Sequence, residues 1–403
     1  MSLTRLRTPA PWWLALLVVA VYLALAVIRL HQEHWDPSSF VFAGDHFVDR
    51  SRLPAHLAVI PRSDGYDGQY YYRLALDPFT AEPTKYGITL DQPAYRQQRI
   101  GYPFLAWITS QGSASALPWI MIALNLAGLG MIAVISAKLA ITHNMSVWWG
   151  LLPSLYPGFL LTLMRDTTEI VAVGFALGAV YFAFGRAYWQ AAALATAAAL
   201  TRETTILYLL GFGVAALVRT RRERKWSWDV VPIASPLALL LLWQRAVSLN
   251  WHVSQFSKTA ENIGLPLVGL TTRLYKIVFD HEVYVGRPDV DLLLHIYYVV
   301  GAVACVVIMA VVGSEVIKSR TLSPLAISWC LYAIVTLSFS AIPWIEPWAY
   351  LRDFADCYVV GAVLLVITDS AKAKWVAAIA GLMWLPTLFY VFDWTRFPPE
   401  AFS

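Results

Sequence analysis

The stretch SDGYDGQYYYRLALDPF, at residues 63–79, places aspartates, tyrosines and an arginine between hydrophobic segments of the chain. Asp64 fits the N-cap of a short helix, and for this residue a capping role and a functional role explain the sequence equally well. Asp67 lies between Gly65 and Gly68, which leave the backbone open to the close approach of a ligand. We therefore interpret Asp67 as the carboxylate of this stretch that contacts a ligand.

Two tyrosines of the same stretch, Tyr70 and Tyr71, have two possible roles. They fit the belt of aromatic side chains that proteins place at a membrane surface. They also fit a binding site for a sugar, whose C–H faces pack against aromatic rings. On a helix Tyr71 shares a face with Asp67, and the second role makes both tyrosines substrate-binding candidates.

Two arginines follow in the segment QPAYRQQRIGYPFLAW, at residues 92–107. Arg96 and Arg99 are three residues apart and so lie on one face of a helix. They can extend toward lipid headgroups as basic side chains do near a membrane. They can equally hold a phosphate, because guanidinium donors match phosphate oxygens. The sequence leaves both roles open.

Charged pairs at helical spacing interrupt two apolar segments further along the chain. Arg165 and Glu169 are four residues apart, and so are Arg352 and Asp356. Side chains at this spacing can pair within one helix. We favour such a structural pair for Arg165, whereas for Arg352 a ligand-binding role is equally well founded.

The composition is that of a membrane protein. Of the 403 residues, 58% are hydrophobic and 14% are charged, and the mean hydropathy is +0.56. A soluble domain of this length needs a more polar surface. The net charge of +4 gives no indication of a nucleic-acid partner. Three cysteines, without close spacing, predict neither a disulfide framework nor a thiolate metal site.

The apolar runs predict an all-α polytopic membrane protein, with a single transmembrane domain over residues 1–403. A helix needs about 20 apolar residues to cross roughly 30 Å of hydrocarbon. The motif TRET interrupts the run 187–218, and the basic run 219–225 reaches the cytoplasm only if 187–218 forms two short spans. We therefore predict about eleven transmembrane helices and a cytoplasmic N-terminus. Besides these two, the predicted spans are 11–30, 117–141, 146–163, 168–185, 229–249, 291–313, 322–344, 354–370 and 375–392.

This topology puts the charged clusters on one side of the membrane. Residues 31–116 form a large first external loop that contains short helices, and residues 250–290 form a second. The helix before TRET is only about 20 Å long, at 1.5 Å per residue. Arg202 and Glu203 are therefore expected below the outer membrane surface, where charges need partners or a water-filled cavity.

The motifs DGYDGQYYYRLALDPF, AYRQQRIGYP, RDTTE, ALTRETT and RDFAD occur in this order and on this one predicted side. In order and spacing they resemble the GT-C superfamily of polytopic glycosyltransferases, which take sugars from polyprenyl-phosphate carriers. Within it they look like a bacterial family linked to cell-surface glycopolymer formation. The resemblance extends from the first helix to at least residue 358, and it implies a GT-C-like fold.

The resemblance also implies roles for individual residues. It implies a catalytic carboxylate in the first external loop that deprotonates an acceptor hydroxyl, for which Asp67 is the first candidate and Asp64 the second. It further implies cationic residues that hold the donor phosphate as it leaves. The candidates for that role are Arg202, Arg352, Arg99 and Arg96, and the substrate-binding candidates are Tyr70, Tyr71 and Glu203, the last as a partner that positions Arg202.

The expected function is hexosyl or pentosyl transfer from a polyprenyl-phosphate sugar to a glycan or glycolipid acceptor, at the external face of a bacterial inner membrane. The sequence identifies no certain cofactor, and the use of a divalent cation stays open. The first loop lacks a DxD-type pair, and Asp45, His46 and His56 form at most a weak metal site. The alternative function is a transporter or flippase for a lipid-linked sugar. Such proteins often contain inverted repeats, and none is found here.

Overall fold

A computed structural model describes residues 10–223, 230–253, 261–280, 291–319 and 323–402 of the chain. Helices dominate this part, as predicted. Its only sheets are two pairs of two-residue strands, both within the predicted first external loop. Ala43–Gly44 pairs in parallel with Val59–Ile60, and Thr84–Lys85 pairs in antiparallel with Ile88–Thr89.

Six of the described helical segments are long and apolar enough to cross a membrane, and three shorter helices are also apolar. The chain is therefore an all-α protein with the composition and helix lengths of a membrane-embedded protein. The six long segments are Pro11–Gln32, Leu117–Thr142, Glu203–Arg222, Val231–Trp251, Leu292–Ser319 and Ala373–Trp394. The three shorter helices are Glu169–Phe184, Pro324–Leu337 and Ala355–Ile367.

The remaining helices are shorter still or less apolar, and several of them lie beside the cavity described below. In chain order they are Asp67–Leu76, Pro93–Gln97, Gly101–Ser110, Leu151–Ser154, Pro157–Leu163, Tyr188–Thr201, Val268–Phe279 and Pro347–Asp353. The predicted second external loop, 250–290, lies partly outside the described residues.

The predicted break at TRET is present. The helix Tyr188–Thr201 ends where Arg202 adopts an extended backbone, with φ −153° and ψ 118°. A turn of 3-10 helix, Glu203–Ile206, follows and leads into the helix Leu207–Glu223. The prediction that 187–218 divides into two helices is therefore confirmed.

The predicted span 146–163 is wrong as a continuous helix. It consists of a 3-10 turn, Val147–Gly150, and two short helices, Leu151–Ser154 and Pro157–Leu163. The helical backbone is interrupted at Tyr156, where ψ is 127°. The ring of Pro157 explains the interruption, because it disfavours the helical conformation of the residue before it.

The start of the helix Asp67–Leu76 also differs from the prediction. Asp67 is the first helical residue, Tyr66 occupies the cap position, and no side chain caps the helix. Asp64 lies too early to cap it, because Gly65, at φ +66°, turns the chain between them. The backbone N–H of Tyr66 instead donates to the carbonyl of Phe42, at 2.8 Å.

A small hydrophobic core lies under this first-loop helix and holds it against the membrane-spanning helices. Tyr71, Tyr72 and Tyr102 are buried in it together with Met121. The hydroxyl of Tyr102 donates to the carbonyl of Met121, at 3.1 Å, and that of Tyr72 donates to the carbonyl of Ala114. The helix that carries Asp67 is thus fixed to the rest of the fold by its own tyrosines.

Close backbone contact joins the first-loop segment to the break at TRET. A Cβ atom on Gly101 would lie 2.4 Å from Thr201 Oγ1 and 2.7 Å from the backbone nitrogen of Thr201. Small residues permit such an approach between helices. Because Gly101 follows Arg99 and Thr201 precedes Arg202, this contact sets the distance between two arginine-bearing segments.

We expect Gly101→Ala to lower the free energy of unfolding by about 1–3 kcal/mol, the usual effect of overpacking a tight contact. The matched control is Gly381→Ala, because a Cβ at Gly381 meets no atom within 4 Å. Denaturant unfolding in detergent, followed by tryptophan fluorescence, measures both. Equal stability of the two variants would contradict the contact at Gly101.

Candidate active site

A cavity of about 240 Å³ lies where the first loop, the break after Thr201 and the helix Pro347–Asp353 meet. Six of the nine predicted site residues line it, although they are far apart in the sequence. The six are Asp67, Arg96, Arg99, Arg202, Glu203 and Arg352.

The carboxylate of Asp67 lies between two guanidinium groups. Its Oδ1 accepts a hydrogen bond from Arg96 Nη1 at 2.7 Å, and its Oδ2 accepts one from Arg352 Nη1 at 3.0 Å. Arg96 is held in place by a second carboxylate, because its Nε and Nη2 donate to the two oxygens of Asp91, each at 2.8 Å. Both oxygens of Asp67 are therefore occupied.

This environment favours the ionised form of Asp67. Burial raises the pKa of the carboxyl group, since it disfavours a charge. The positive charges of Arg96, Arg352 and Arg99 act in the opposite direction and outweigh burial, so the pKa of Asp67 lies well below its ordinary value. Asp67 is an anion over the whole physiological pH range.

Arg99 and Glu203 form a second ion pair in the cavity wall. Arg99 donates from Nε to Oε2 at 2.9 Å and from Nη2 to Oε1 at 2.7 Å, a two-point pair that uses both carboxylate oxygens. Glu203 was predicted to position Arg202, and this prediction is wrong. Neighbouring side chains diverge at an extended residue, and Arg202 has an extended backbone.

Arg202 is buried among three other carboxylates. Its Nη1 lies 2.6 Å from Glu169 Oε1, its Nη2 lies 2.6 Å from Asp353 Oδ1, and its Nε lies 3.9 Å from Asp356 Oδ2. The same Glu169 oxygen lies 3.4 Å from Arg352 Nε. Glu169 therefore joins the pair at Arg202 to the pair at Asp67, and the charges form one connected network.

Of the two roles left open for Arg352, pairing with Asp356 within one helix does not occur. One helix ends at Asp353 and the next begins at Ala355, so the two residues lie in different helices. Arg352 instead contacts Asp67 and Glu169, as described above. Asp356 accepts a hydrogen bond from Thr204 Oγ1 at 3.2 Å.

The predicted pair of Arg165 with Glu169 is wrong for a related reason. Arg165 lies in the turn before the helix Glu169–Phe184, in which Asp166 has a left-handed backbone, with φ 44°. Its Nη1 contacts Glu346 at 3.6 Å, and its guanidinium group lies 3.7 Å from the ring centroid of Trp348. Cation–π contact of this kind explains why Arg165 packs away from Glu169.

Three predicted site residues do not line the cavity. Asp64 has a side chain that is 81% exposed and lies 2.7 Å from His46 Nδ1, outside the cavity. Tyr70 lies behind the arginines, with the guanidinium group of Arg96 at 4.3 Å from its ring centroid. Tyr71 is buried and accepts a hydrogen bond from Arg99 at 3.5 Å. The two tyrosines therefore contact Arg96 and Arg99 without lining the cavity.

Asp45, His46 and His56, which were considered as at most a weak metal site, do not come together in one group. His46 contacts Asp64, whereas His56 Nε2 lies 2.8 Å from Asp36 Oδ2. Over the described ranges, no group of three or more His, Cys, Asp or Glu residues is arranged to hold a metal ion.

The contacts that fix the segment Tyr95–Arg99 were not predicted from the sequence. Gln97 accepts a hydrogen bond from Trp251 Nε1 at 2.6 Å, and the carbonyl of Gln98 accepts one from Trp243 Nε1 at 3.2 Å. In the motif YRQQR the arginines therefore face the cavity, while the glutamines attach the segment to the helix Val230–Trp251. The available signal was the spacing of the motif, in which two arginines three residues apart enclose two glutamines.

We expect Glu203→Gln to lower the free energy of unfolding by about 3–5 kcal/mol, because it leaves the buried charge of Arg99 unpaired. The double variant Arg99→Gln/Glu203→Gln removes both charges and should recover most of this loss. The measurement is thermal unfolding in detergent of both variants, of Arg99→Gln and of the wild type. Together these four proteins form a double-mutant cycle. Additive effects of the two substitutions would show that the pairing of Arg99 with Glu203 contributes nothing to the free energy of unfolding.

Comparison with known proteins adds no family to this description. No protein-family model matches the chain, and no curated protein matches it. The geometry of the cavity, with one carboxylate held between two arginines and a connected set of ion pairs around it, is therefore the basis on which a function is assigned.

Proposed function

We propose that the chain is a GT-C-type membrane glycosyltransferase. It transfers a sugar from a polyprenyl-phosphate donor to a hydroxyl group of a glycan or glycolipid acceptor, at the outer face of a bacterial inner membrane. The observation that carries this proposal is the Asp67 carboxylate between Arg96 and Arg352. Such a transfer needs a base for the acceptor hydroxyl and cations for the leaving phosphate.

The proposal includes about eleven membrane segments. Six long and three shorter apolar helices account for nine of them. The helix Tyr188–Thr201 and the broken segment from Val147 to Leu163 supply the other two. With the N-terminus in the cytoplasm, this arrangement puts the cavity at the outer face, where the polyprenyl tail stays in the bilayer and its phosphate reaches the arginines.

The chemical step is a direct displacement at the anomeric carbon. The acceptor oxygen attacks this carbon and gives its proton to Asp67, while the bond from the carbon to the phosphate oxygen breaks. The electron pair of that bond leaves with the polyprenyl phosphate, and the configuration at the carbon inverts. Preorganised guanidinium groups in a low-dielectric site stabilise the developing negative charge.

Donor binding and base activation are coupled in this scheme. In the free site Asp67 accepts hydrogen bonds from Arg96 and Arg352 on its two oxygens, which makes it a weak base. The donor phosphate competes for the same guanidinium groups, because they match phosphate oxygens as well as carboxylate oxygens. Binding of the donor thus releases Asp67, and its pKa rises toward the range in which it accepts a proton.

We expect Asp67→Asn to lower transfer by about 10²–10⁴-fold, the usual contribution of a general base. Binding of polyprenyl phosphate should be retained or strengthened, since the neutral side chain no longer competes for the two arginines. Transfer from a panel of radiolabelled polyprenyl-phosphate sugars in proteoliposomes, with equilibrium binding of polyprenyl phosphate, measures both quantities.

The matched control is Asp64→Asn, which removes a carboxylate that lies outside the cavity and should leave transfer unchanged. Transfer by Asp67→Asn within tenfold of the wild type would exclude Asp67 as the base. A wild-type protein that carries lipid-linked sugars across the bilayer and transfers none of them would be a transporter, and the proposal would fail.

The two kinetic parameters should have different pH dependences. The parameter kcat/KM for the donor reports the pKa of the free enzyme, and kcat reports that of the complex. Arg96 and Arg352 lower the pKa of Asp67 in the free site, and the donor phosphate neutralises part of their charge. The loss of kcat in acid should therefore begin at higher pH than the loss of kcat/KM. Coincident acid limbs would contradict the coupling of donor binding to base activation.

A further inference from the structure

Asp353 is at the opposite end of the charge network from Asp67. Asp67 contacts Arg352 at 3.0 Å, Arg352 contacts Glu169 at 3.4 Å, and Glu169 contacts Arg202 at 2.6 Å. Arg202 then contacts Asp353 at 2.6 Å. The two carboxylates line the same cavity but are separated by three intervening side chains.

Asp353 differs from the other carboxylates of the cavity because it combines a partly exposed side chain with an oxygen that no described residue contacts. Oδ1 of Asp356 also lacks a partner, but it is buried. Both oxygens of Asp67 and both oxygens of Glu203 are occupied by guanidinium groups. Asp356 has a side chain that is only 4% exposed. The side chain of Asp353 is 19% exposed, and its Oδ1 pairs with Arg202. Its Oδ2 has no partner among the residues that the structure describes.

The second carboxylate oxygen of Asp353 is an acceptor that none of the described residues uses. An ionised carboxylate accepts hydrogen bonds on two oxygens with about four lone-pair sites. Arg202 fixes the orientation of Asp353 through the contact to its Oδ1. A carboxylate held in this way accepts hydrogen bonds from hydroxyl groups and repels phosphate.

We propose that Asp353 binds hydroxyl groups of the sugar that is transferred, and this inference rests on the proposed function. The donor phosphate binds at Arg96 and Arg352, so the sugar extends from there into the remaining cavity, toward Asp353. A site built to accept a hydrogen bond from a hydroxyl group rejects an analogue that lacks it. Asp353 is therefore a specificity-determining residue.

With Asp353 assigned to the sugar, Arg202 is no longer a candidate for binding the donor phosphate. Its positive charge is already neutralised by Glu169 and Asp353, at 2.6 Å each, and the side chain is buried. A phosphate at Arg202 would have to displace two carboxylates, whereas displacing the single carboxylate of Asp67 frees a donor on both Arg96 and Arg352. Arg202 is thus a positioning residue that orients Asp353, and the phosphate contacts belong to Arg96 and Arg352.

Two probes that differ only in the sugar test the inference. One is the polyprenyl-phosphate sugar that the wild type uses as a donor, and the other is polyprenyl phosphate alone. We expect Asp353→Ala to weaken binding of the sugar-bearing probe by about 10–100-fold, the effect of losing hydrogen bonds to a charged group. Binding of polyprenyl phosphate alone should stay within twofold of the wild-type value.

Companion variants distinguish a sugar contact from a structural effect. Asp353→Asn keeps one acceptor oxygen and should give an intermediate loss, and its unfolding temperature shows whether the fold is intact. Arg352→Ala should weaken both probes, because it removes a phosphate contact. A donor that lacks the contacted hydroxyl group should bind the wild type as weakly as the intact donor binds Asp353→Ala. It should bind Asp353→Ala with no further loss.

Three results would overturn the inference. Equal weakening of both probes by Asp353→Ala would show that the residue acts only through the charge network. No weakening of either probe would show that it has no contact with the donor. If the wild type binds polyprenyl phosphate and transfers the sugar while either result holds, the proposed function stands and only this inference fails. A wild type that binds neither probe would overturn the proposed function and the inference with it.

Discussion

The pairing of buried arginines with carboxylates is the constraint on which the rest of the structure depends. Transferring an isolated charge out of water is costly, and removing one partner of a buried pair destabilises a protein strongly. Arg202 at the break between two helices is therefore stable only because Glu169 and Asp353 reach it from other helices. The same requirement holds Arg96 and Arg352 on Asp67. The ends of separate helices lie around one cavity because each buried charge there requires a partner of opposite sign.

Hydrophobic packing brings the segments that carry these charges close together. The helix that ends at Thr201 is 14 residues long and leaves Arg202 in the interior. The glycine contact at Gly101 brings the segment that carries Arg99 beside it. The first-loop helix is anchored by buried tyrosines, of which Tyr71 touches Arg99 from behind. Hydrophobic packing thus sets the positions of the backbone, and the ion pairs set the positions of the side chains.

The sequence predicted the elements of the cavity better than the contacts within it. Composition and run length indicated an all-α membrane protein, and the charged TRET motif indicated a broken helix at Arg202. Pairing by helical spacing failed at Arg165 and Arg352, because each lies at an interruption of a helix and the rule assumes a continuous one. The bridge through Glu169 joins residues far apart in the chain. Single-sequence patterns carry no information about such distant contacts.

A site whose charges are already paired also restricts what can enter it. Within the proposed function, a neutral molecule gains little at Arg96 and Arg352, because replacing Asp67 would leave buried positive charge without a partner. In this proposal, a water molecule that enters the cavity without the donor contacts an Asp67 that is held by two hydrogen bonds. Asp67 is then too weak a base to remove a proton from the water. A phosphate brings the negative charge that takes the place of the carboxylate. Under the proposed function, the ion pairs thus keep Asp67 from acting as a base until the donor has bound.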